Sequence, residues 1–399
     1  MDEYLLKSDI PEVKISIDDT SAIARIKVIG VGGAGNNVVD ELIKSNMDGV
    51  EFIAVNTDAQ ALETSLADIK VQIGDSLCRG LGTGGDPERG KQAAIEDKEK
   101  IIEILEGANL VWITAGMGGG TGTGASPIIA EAAKELNILT VGVVTTPFAF
   151  ESGQRMRQAM EGIENLRTKV DSYIVVPNEK LLKLSDKSTT LKESFMQSNE
   201  VLKQAVKGVS ELILKKGLVN RDLTDVQAVL QNKGRALMGT GMAKGENRAI
   251  QAIENAISSP LLEEVSIEGS EAALIIVFSD QNLGMQEINS AITIVRQKLH
   301  AEANIYWGAY IDDSLGEAIK FTVIISGLPD SLKTLETKQR AISVTAVEQP
   351  ATKNESTNFY RGKTPTPSTL EDLYDVKFDG EEAEFMIPAY KRKLKDMKT

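Results

Sequence analysis

The sequence predicts an α/β protein whose first half is a doubly wound parallel sheet, and three observations carry this prediction. Between residues 25 and 180, short apolar segments alternate with segments of helical periodicity, a pattern typical of a parallel sheet covered by helices on both faces. Glycine clusters follow the first, third and fourth apolar segments, at the strand–helix junctions where such sheets bind ligands. The chain has 399 residues, 42% of them hydrophobic and 26% charged, which suits a globular protein with more than one domain.

The predicted elements follow one another in a regular order. Strands are predicted at "ARIKVIGV", "VEFIAVNTD", "IKVQIG", "NLVWITAG", "LTVGVVTTPF" and "VDSYIVVPN", with helices at "NNVVDELIKSN" and "ASPIIAEAAKEL". A long helix comes next, because apolar side chains recur at helical spacing from Leu191 to Ile213, and Gly217 is a typical helix end. Three further helices, "DLTDVQAVLQNKGRAL", "NRAIQAIENAI" and "EINSAITIVRQKL", accompany the strands "EAALIIVFS", "IYWGAYI" and "IKFTVIIS". They predict a second, smaller α/β domain that ends near Gly327.

The composition argues against several classes of function. A formal net charge of −14 disfavours binding to nucleic acid or to an anionic membrane. The single cysteine, Cys78, cannot form an internal disulfide, and the presence of a single histidine, His300, argues against a histidine-based metal site. The N-terminus lacks a secretory pattern and no apolar run approaches the ~20 residues of a membrane span. We therefore expect no direct transmembrane insertion.

Three glycine clusters define the candidate site. The first, "GVGGAG" at residues 30–35, matches the dinucleotide fingerprint G-x-G-x-x-G, with Asp58 after the second strand, so a nicotinamide- or flavin-dependent enzyme is one interpretation. The second and third are "GMGGGTGTG" at residues 116–124 and "RGLGTGGDP" at residues 79–87. Because the first and fourth strands are neighbours in a doubly wound sheet, the first two clusters would face one crevice.

Successive glycine N–H groups and helix N-termini bind anions. Three such loops around one crevice favour a chain of phosphates over a single pyrophosphate, and Thr121 and Thr123 could donate hydroxyl hydrogen bonds to it. The sequence contains no G-x-x-x-x-G-K-[ST] motif, so a P-loop lysine is absent. We predict a nucleotide site that relies on backbone donors and a metal ion.

Several motifs together carry a resemblance to a known family. "VWITAGMGGGTGTG", "IKVIGVGGAGNN", "EFIAVNTDAQAL", "KGENRA", "AISSPLLE" and "IDDSLG" resemble the FtsZ family of bacterial tubulin-like cell-division GTPases, from about residue 25 to 328. The resemblance implies a GTPase that binds GTP or GDP with Mg²⁺, polymerises head to tail with itself and forms the cytokinetic ring. It would act in the cytoplasm at midcell, at the inner face of the plasma membrane. A tubulin-like GTP-binding scaffold with little turnover and a dinucleotide-dependent oxidoreductase are the alternatives.

The resemblance also implies how the chain is organised. It predicts an N-terminal extension (1–24), a GTP-binding domain (25–190), a central helix (191–217), a second domain with the catalytic loop (218–328), a linker (329–380) and a partner-binding peptide (381–399). The linker is predicted to be disordered because it is polar, contains scattered prolines and lacks periodicity.

Individual phosphate contacts follow from the same resemblance. The α- and β-phosphates would lie on Gly118, Gly119, Gly120, Thr121, Gly122, Thr123 and Gly124, with Gly32, Gly33 and Ala34 nearby. The γ-phosphate would approach Gly82, Gly84 and Gly85. Asn56 and Asp58 would face the γ-phosphate, with Asp58 at the Mg²⁺ ion.

The rest of the nucleotide would be held by side chains. Glu151 and Arg155 match the family's ribose-contacting pair, although an exposed i,i+4 ion pair is the alternative. Guanine recognition would fall to Asn37, Asn178, Phe195 and Asn199, since an amide offers both a donor and an acceptor. Phe195 also lies on the apolar stripe of the long helix, so a position in the core is the alternative.

The catalytic loop would come from the neighbouring subunit. Asn220, Asp222 and Asp225 in "GLVNRDLTDVQ" would orient the attacking water, although Asp222 or Thr224 could simply cap the next helix. Compared with the family pattern, Arg221 and Leu223 differ here. Asp86, Glu200 and the "SGQ" between Glu151 and Arg155 are further departures, whose effect the sequence leaves open.

The C-terminal segment "EFMIPAYKRK" resembles the family's docking peptide. Its apolar residues have no core to join, and basic residues follow them. We expect it to bind membrane-tethering and regulatory division proteins through Phe385, Ile387, Pro388, Tyr390 and Arg392.

Overall fold

The computed structural model describes residues 24–182, 189–215, 217–259, 262 and 267–328. Its strands are β1 (Ile26–Val31), β2 (Val50–Asn56), β3 (Ile69–Gln72), β4 (Leu110–Gly116), β5 (Leu139–Thr146), β6 (Ser172–Pro177), β7 (Gly234–Ala243), β8 (Ala272–Ser279), β9 (Asn304–Ile311) and β10 (Ile319–Ser326). Its helices are α1 (Gly32–Lys44), α2 (Ala59–Thr64), α3 (Asp75–Cys78), α4 (Pro87–Glu96), α5 (Lys98–Leu105), α6 (Thr121–Glu135), α7 (Gly153–Arg167), α8 (Asn178–Leu182), α9 (Leu191–Leu214), α10 (Leu223–Leu230), α11 (Arg248–Ile257) and α12 (Met285–Lys298), with a 3₁₀ helix at Asp313–Leu315. The predicted linker and C-terminal peptide, and all but residue 24 of the predicted N-terminal extension, lie outside these residues.

The strands of the described residues form one sheet in the order β3-β2-β1-β4-β5-β6-β7-β10-β8-β9. From β3 to β6 every pairing is parallel, which confirms the predicted doubly wound fold and the adjacency of β1 and β4. Farther along, β10 is antiparallel to both β7 and β8, and β9 is parallel to β8. The sheet is therefore mixed in its second half.

One predicted helix is partly wrong. The segment predicted as "DLTDVQAVLQNKGRAL" contains α10 but then leaves the helix, and Asn232 and Gly234 have φ values of +54° and +69°. The missed strand β7 follows, and it pairs in parallel with β6. A Cβ on Gly239 or Gly241 would overlap backbone atoms of α11, so these glycines let the helix pack closely on the strand. Because β7 joins the two halves of the sheet, the boundary between the two predicted domains remains a prediction.

The long helix is confirmed, although it ends at Leu214, before Gly217. It begins with a capping box in which Thr190 and Glu193 satisfy each other's backbone N–H groups. Its buried face, which includes Leu202, Val206 and Val209, joins a core that extends over one face of the sheet. Burying an aliphatic side chain of this kind contributes about 1.5–3 kcal/mol, so the helix is firmly seated on both halves of the sheet.

Helices cover the rest of the sheet. A second core cluster lies between the first half of the sheet and helices α4 to α7, and a third lies between the second half and helices α11 and α12. In the described part of the chain, no helix is long and apolar enough to cross a membrane.

Candidate functional site

The candidate site lies where β1 and β4 end. The strand order reverses between these two neighbours, because β2 and β3 continue on one side and β5 and β6 on the other. Ligands bind at this switch point in doubly wound sheets. Helix α1 begins directly after β1, and α6 begins at Thr121, inside the second glycine cluster. Each N-terminus adds the equivalent of about half a positive charge.

The three glycine clusters contact one another at positions where a side chain would not fit. Gly32 has a φ of +71°, and a Cβ there would lie 2.9 Å from the backbone nitrogen of Gly122. A Cβ on Gly120 would overlap the side chain of Thr83 in the third cluster. The structure thus brings the clusters, separated in sequence, into one continuous backbone surface.

A cavity of about 420 Å³ opens over this surface, within the size range of small-molecule sites. Many of the predicted site residues line it: Gly32, Gly33, Ala34, Gly119, Gly120, Thr121, Gly122, Glu151, Arg155, Asn178, Phe195 and Asn199. A larger cavity of about 660 Å³ lies between α9 and the sheet, but its lining includes none of the three glycine clusters. The smaller cavity is therefore the candidate nucleotide site.

Two features of the cavity fit a bound nucleotide. A Cβ on Gly33 or Gly119 would meet no protein atom within 4 Å, so packing does not require glycine there and the space that a side chain would fill stays open. At the other end, Asn178 is 5% exposed and its Oδ1 has no hydrogen-bond partner among the described residues. A buried acceptor without a donor is costly, and a guanine edge would supply that donor.

Some predicted phosphate contacts are not part of the cavity lining. Thr123 is 3% exposed, and its hydroxyl oxygen accepts a hydrogen bond from the Gly118 N–H (2.8 Å). A Cβ on Gly124 would overlap the Pro87 carbonyl oxygen of α4. Thr123 does not line the cavity, and its predicted hydrogen bond to phosphate remains a prediction. The second cluster is held in its conformation by the contacts of Thr123, Gly118 and Gly124, which do not line the cavity.

The third cluster is also absent from the lining, apart from Thr83. Gly82, Gly84 and Gly85 have φ values of +78°, +65° and +83°, a region that favours glycine. Nothing lies within 4 Å of a Cβ on Gly84 or Gly85. This loop is held open beside the cavity, and its predicted approach to the γ-phosphate remains a prediction.

The predicted metal residue lies in a turn after β2. The Asn56 side chain is buried, and its Oδ1 accepts hydrogen bonds from the backbone of Thr57 and Asp58. Asp58 caps α2 through Oδ1, while its Oδ2 accepts no hydrogen bond from the described residues. No cluster of three or more acidic, histidine or cysteine side chains suited to a metal occurs among them. A magnesium ion would therefore need phosphate oxygens as ligands beside Asp58, which is typical of nucleotide sites.

The two residues that are predicted to contact the ribose lie next to each other. Arg155 makes an ion pair with Glu151, and both line the cavity. Glu151 precedes Ser152, the N-cap of α7, and its second oxygen accepts from the Phe148 N–H (3.0 Å). The structure thus shows the i,i+4 ion pair of the alternative interpretation, with Glu151 in the turn before α7, and the contact with ribose remains a prediction.

The base end of the cavity contains aromatic and amide side chains. Phe195 is 41% exposed and meets the Phe148 ring edge to face at 5.2 Å, so the alternative of a core position is wrong. Asn199 lies one turn further along α9 and also lines the cavity. Asn37 does not: it is exposed on α1, outside the lining.

The predicted catalytic residues are remote from the cavity of their own chain. From Asn199 the helix α9 runs 15 more residues to Leu214, about 22 Å at 1.5 Å per residue, before the acidic loop begins. In that loop Asn220 accepts from the Gly217 N–H (2.6 Å), and Asp222 caps α10 through Oδ1. Asp222 thus does cap α10, as the alternative interpretation predicted, but the cap uses only its Oδ1 and not its Oδ2.

Some lining residues were missed by sequence reasoning. Thr83, Thr145, Thr146 and Ser198 line the cavity beside the predicted residues. Thr145 and Thr146 end β5, the neighbour of β4. Both are polar and lie at the carboxyl end of a strand beside the switch point, so the sequence could have identified them as candidate site residues.

Comparison of this chain with known proteins identifies similar families and structures. Residues 25–186 match the family model "Tubulin/FtsZ family, GTPase domain", and residues 234–329 match "FtsZ family, C-terminal domain". Among solved structures, the chain is similar to an empty FtsZ dimer from M. jannaschii, with 44% identity, 77% of this chain and 89% of that chain covered, and a TM-score of 0.74.

More distant structures share the fold. CetZ1 from Haloferax volcanii, a GDP-bound monomer, is 22% identical over 80% of this chain and 99% of its own, with a TM-score of 0.69. CetZ2 from the same organism, a GTPγS-bound protofilament, is 20% identical over 81% of this chain and 100% of its own, with a TM-score of 0.66.

Proposed function

Since this chain belongs to the tubulin/FtsZ family and carries its GTPase domain, we propose that it is a GTP-dependent filament protein of the division ring. GTP bound in one subunit is hydrolysed when the acidic loop of the next subunit completes the site. The related FtsZ was solved as a dimer and the related CetZ2 as a protofilament, which supports head-to-tail self-association here.

One observation carries this proposal: helix α9 separates the two halves of the site. Asn199 lines the cavity near its start, and the acidic loop follows its end, about 22 Å farther on. Glu151 is the one acidic residue in the cavity lining described above, and it is paired with Arg155. A water attacking the γ-phosphate needs an orienting group, so a second subunit must bring one.

The exposed surface supports assembly through these two regions. Leu81, in the third glycine cluster, is 85% exposed, and Leu218, at the start of the acidic loop, is 58% exposed. Burying apolar side chains of this size stabilises a subunit interface by about 1.5–3 kcal/mol each. The contact joins unlike surfaces, so it is heterologous and extends into a filament.

The acidic loop can contribute two carboxylates. Asp222 retains Oδ2 after capping α10, and Asp225 is held 3.4 Å from the Arg221 guanidinium. These groups would orient water. Asp58 would help to hold a Mg²⁺ ion, whose positive charge would offset the repulsion between the phosphates and the incoming carboxylates. The C-terminal peptide, which lies outside the described residues, tethers the filament through membrane-anchored division proteins to the inner face of the plasma membrane at midcell.

Mixing two inactive variants tests the split site. Asp225→Asn removes one carboxylate and keeps the cradle, the surface that the three glycine clusters form around the cavity. Gly119→Val keeps the acidic loop and fills the cradle, because a Cβ on Gly119 points into open space at the cavity. Each alone should release little phosphate from GTP. In a 1:1 mixture, up to about one quarter of random head-to-tail junctions combine an intact cradle with an intact loop, so phosphate release should recover towards that fraction.

The same assay separates the alternatives. Wild-type phosphate release per molecule should rise steeply with protein concentration, because single subunits lack the orienting group. If the mixture stays inactive while each variant still assembles with wild-type protein, the site is not shared between subunits. Filaments in light scattering without phosphate release would identify a GTP-binding scaffold.

A further inference from the structure

A buried pair of threonine hydroxyls joins two parts of the cradle. The Oγ1 atoms of Thr57 and Thr121 lie 2.7 Å apart, and both residues are buried. Thr121 lines the cavity, whereas Thr57 lies behind it, directly after β2. Either hydroxyl can be the donor in this geometry.

The turn around Thr57 also contacts the other glycine clusters. The Thr57 carbonyl oxygen accepts from the Gly82 N–H (3.2 Å) in the third cluster. Its N–H donates to Asn56 Oδ1 (2.9 Å). With its amide oriented to satisfy its neighbours, Asn36 donates to the carbonyl oxygens of Gly30 and Gly32 (2.9 Å each) and accepts from Asn56 Nδ2 (3.3 Å). The Asn56–Thr57 turn therefore connects all three clusters.

The chemistry of phosphate determines the direction of the threonine bond. Phosphate oxygens accept hydrogen bonds and cannot donate them, so a Thr121 hydroxyl that contacts phosphate must donate its one proton there. Its oxygen is then left to accept, and the nearest donor is Thr57. We propose that Thr57 is a positioning residue for nucleotide binding: its hydroxyl donates to Thr121 and thereby aims the Thr121 proton at the phosphate chain.

This inference rests on nucleotide binding at the cradle and not on filament formation. Thr57→Val keeps the size of the side chain and both backbone hydrogen bonds, but it removes the donor. The Thr121 hydroxyl then keeps its proton without a fixed direction. A hydrogen bond to a charged group contributes enough that losing its alignment should weaken GTP and GDP binding about tenfold.

A double-mutant cycle tests the proposal. The dissociation constants of GTP and GDP are measured by fluorescence titration, at protein concentrations below assembly, for Thr57→Val, Thr121→Val, the double variant and Thr57→Ser. Thr57→Val should bind about tenfold more weakly. Because Thr57 acts through Thr121, the double variant should bind no more weakly than Thr121→Val alone. Thr57→Ser restores the hydroxyl and should bind close to the wild-type affinity.

A second threonine pair provides the control for simple loss of packing. Thr240 and Thr322 place their hydroxyls 3.4 Å apart in the second half of the sheet, and neither residue lines the nucleotide cavity. Thr322→Val should leave both dissociation constants unchanged.

Three results would overturn the inference: wild-type affinity in Thr57→Val, losses that multiply in the double variant, or no restoration by Thr57→Ser. The wild-type titration keeps this failure distinct from failure of the proposed function. Wild-type protein that binds GTP but does not hydrolyse it on assembly contradicts the filament mechanism and leaves the role of Thr57 intact.

Discussion

Placing a methyl group in the cradle should raise stability and lower nucleotide affinity. Gly33 is the second residue of α1, it is exposed, and a Cβ there would meet no protein atom within 4 Å. Its backbone does not lie in the left-handed region that favours glycine. In the protein without nucleotide, Gly33→Ala is therefore free of strain.

The two effects differ in sign because they have different physical causes. Alanine is preferred over glycine in a helix by up to about 1 kcal/mol, less in the first turn, mainly because it restricts the unfolded chain. For a protein of this size this corresponds to a rise in Tm of about 2 °C. The methyl group, however, fills space beside the α1 N-terminus where a phosphate oxygen would lie. Losing one charge-assisted hydrogen bond costs about 1.5–3 kcal/mol, roughly a 10- to 100-fold rise in the Kd of GTP.

Calorimetric melting without nucleotide and GTP titration measure the two effects on the same sample. Gly153→Ala is the matched control: Gly153 is the first residue of α7, its Cβ would contact the flexible Arg157 side chain at 3.7 Å, and it does not line the cavity. This control should gain a similar stability and keep the wild-type Kd. If Gly33→Ala bound GTP as tightly as wild type, the α1 N-terminus would not hold phosphate.

Other parts of the chain give further predictions. Arg248 donates to Glu287 (2.8 Å) and Asp280 (3.1 Å). Arg248→Met should lower the free energy of unfolding in urea by about 2–3 kcal/mol, because the partly buried Glu287 loses its cation; an unchanged unfolding midpoint would contradict this role. The hydrogen bond from Arg248 lowers the pKa of Glu287 below 4.5, and hydrogen bonds from Asn282 and then Arg248 lower that of Asp280 below 3.8. A carboxyl whose pKa falls on folding stabilises above its unfolded pKa, so wild-type stability should decline as the pH falls below about 4.5 and the Arg248→Met profile should be flatter; parallel profiles would argue against the assignment. Deleting residues 381–399 should preserve GTP hydrolysis and assembly in solution but abolish membrane recruitment in cells, and loss of GTPase activity would show that the segment is not a separate docking peptide.

The strands could be predicted because a parallel sheet buried on both faces requires continuous apolar segments. β1, β4, β5 and β6 are almost entirely buried. β7 was not predicted, because its apolar pattern is interrupted by Gly234, Gly239 and Gly241. Gly239 and Gly241 are required because α11 packs closely on β7. This is a tertiary contact, which the local sequence pattern does not show. Helices α4, α5 and α7 were also not predicted, since their segments are rich in charged residues.

The location of the site was predictable, but the direction of each side chain was less so. Strand–helix junctions at a switch point identified the clusters, whereas the start of α6 at Thr121 decides which threonine faces the cavity. Residues two apart on a helix face different sides, so Thr121 lines the cavity and Thr123 does not. Sequence reasoning placed the helix start at Ala125 and therefore could not apply this geometry. Thr57 was missed for a related reason: its proposed role depends on a contact between the turn after β2 and the start of α6, 64 residues apart in sequence.

Each half of the proposed shared site is held in place by contacts within the single subunit, which bears on how the reaction could be controlled. The cradle is braced by contacts among its glycine clusters and by the Asn56–Thr57 turn. The acidic loop is braced by the Asp222 cap and by Arg221, which donates to the Trp307 carbonyl oxygen (2.7 Å) and pairs with Asp225. Groups that are already positioned lose little conformational entropy on association. If the site is shared as proposed, the contact between subunits itself would switch on hydrolysis, and we expect subunit concentration, and not a rearrangement within one chain, to determine when GTP is consumed.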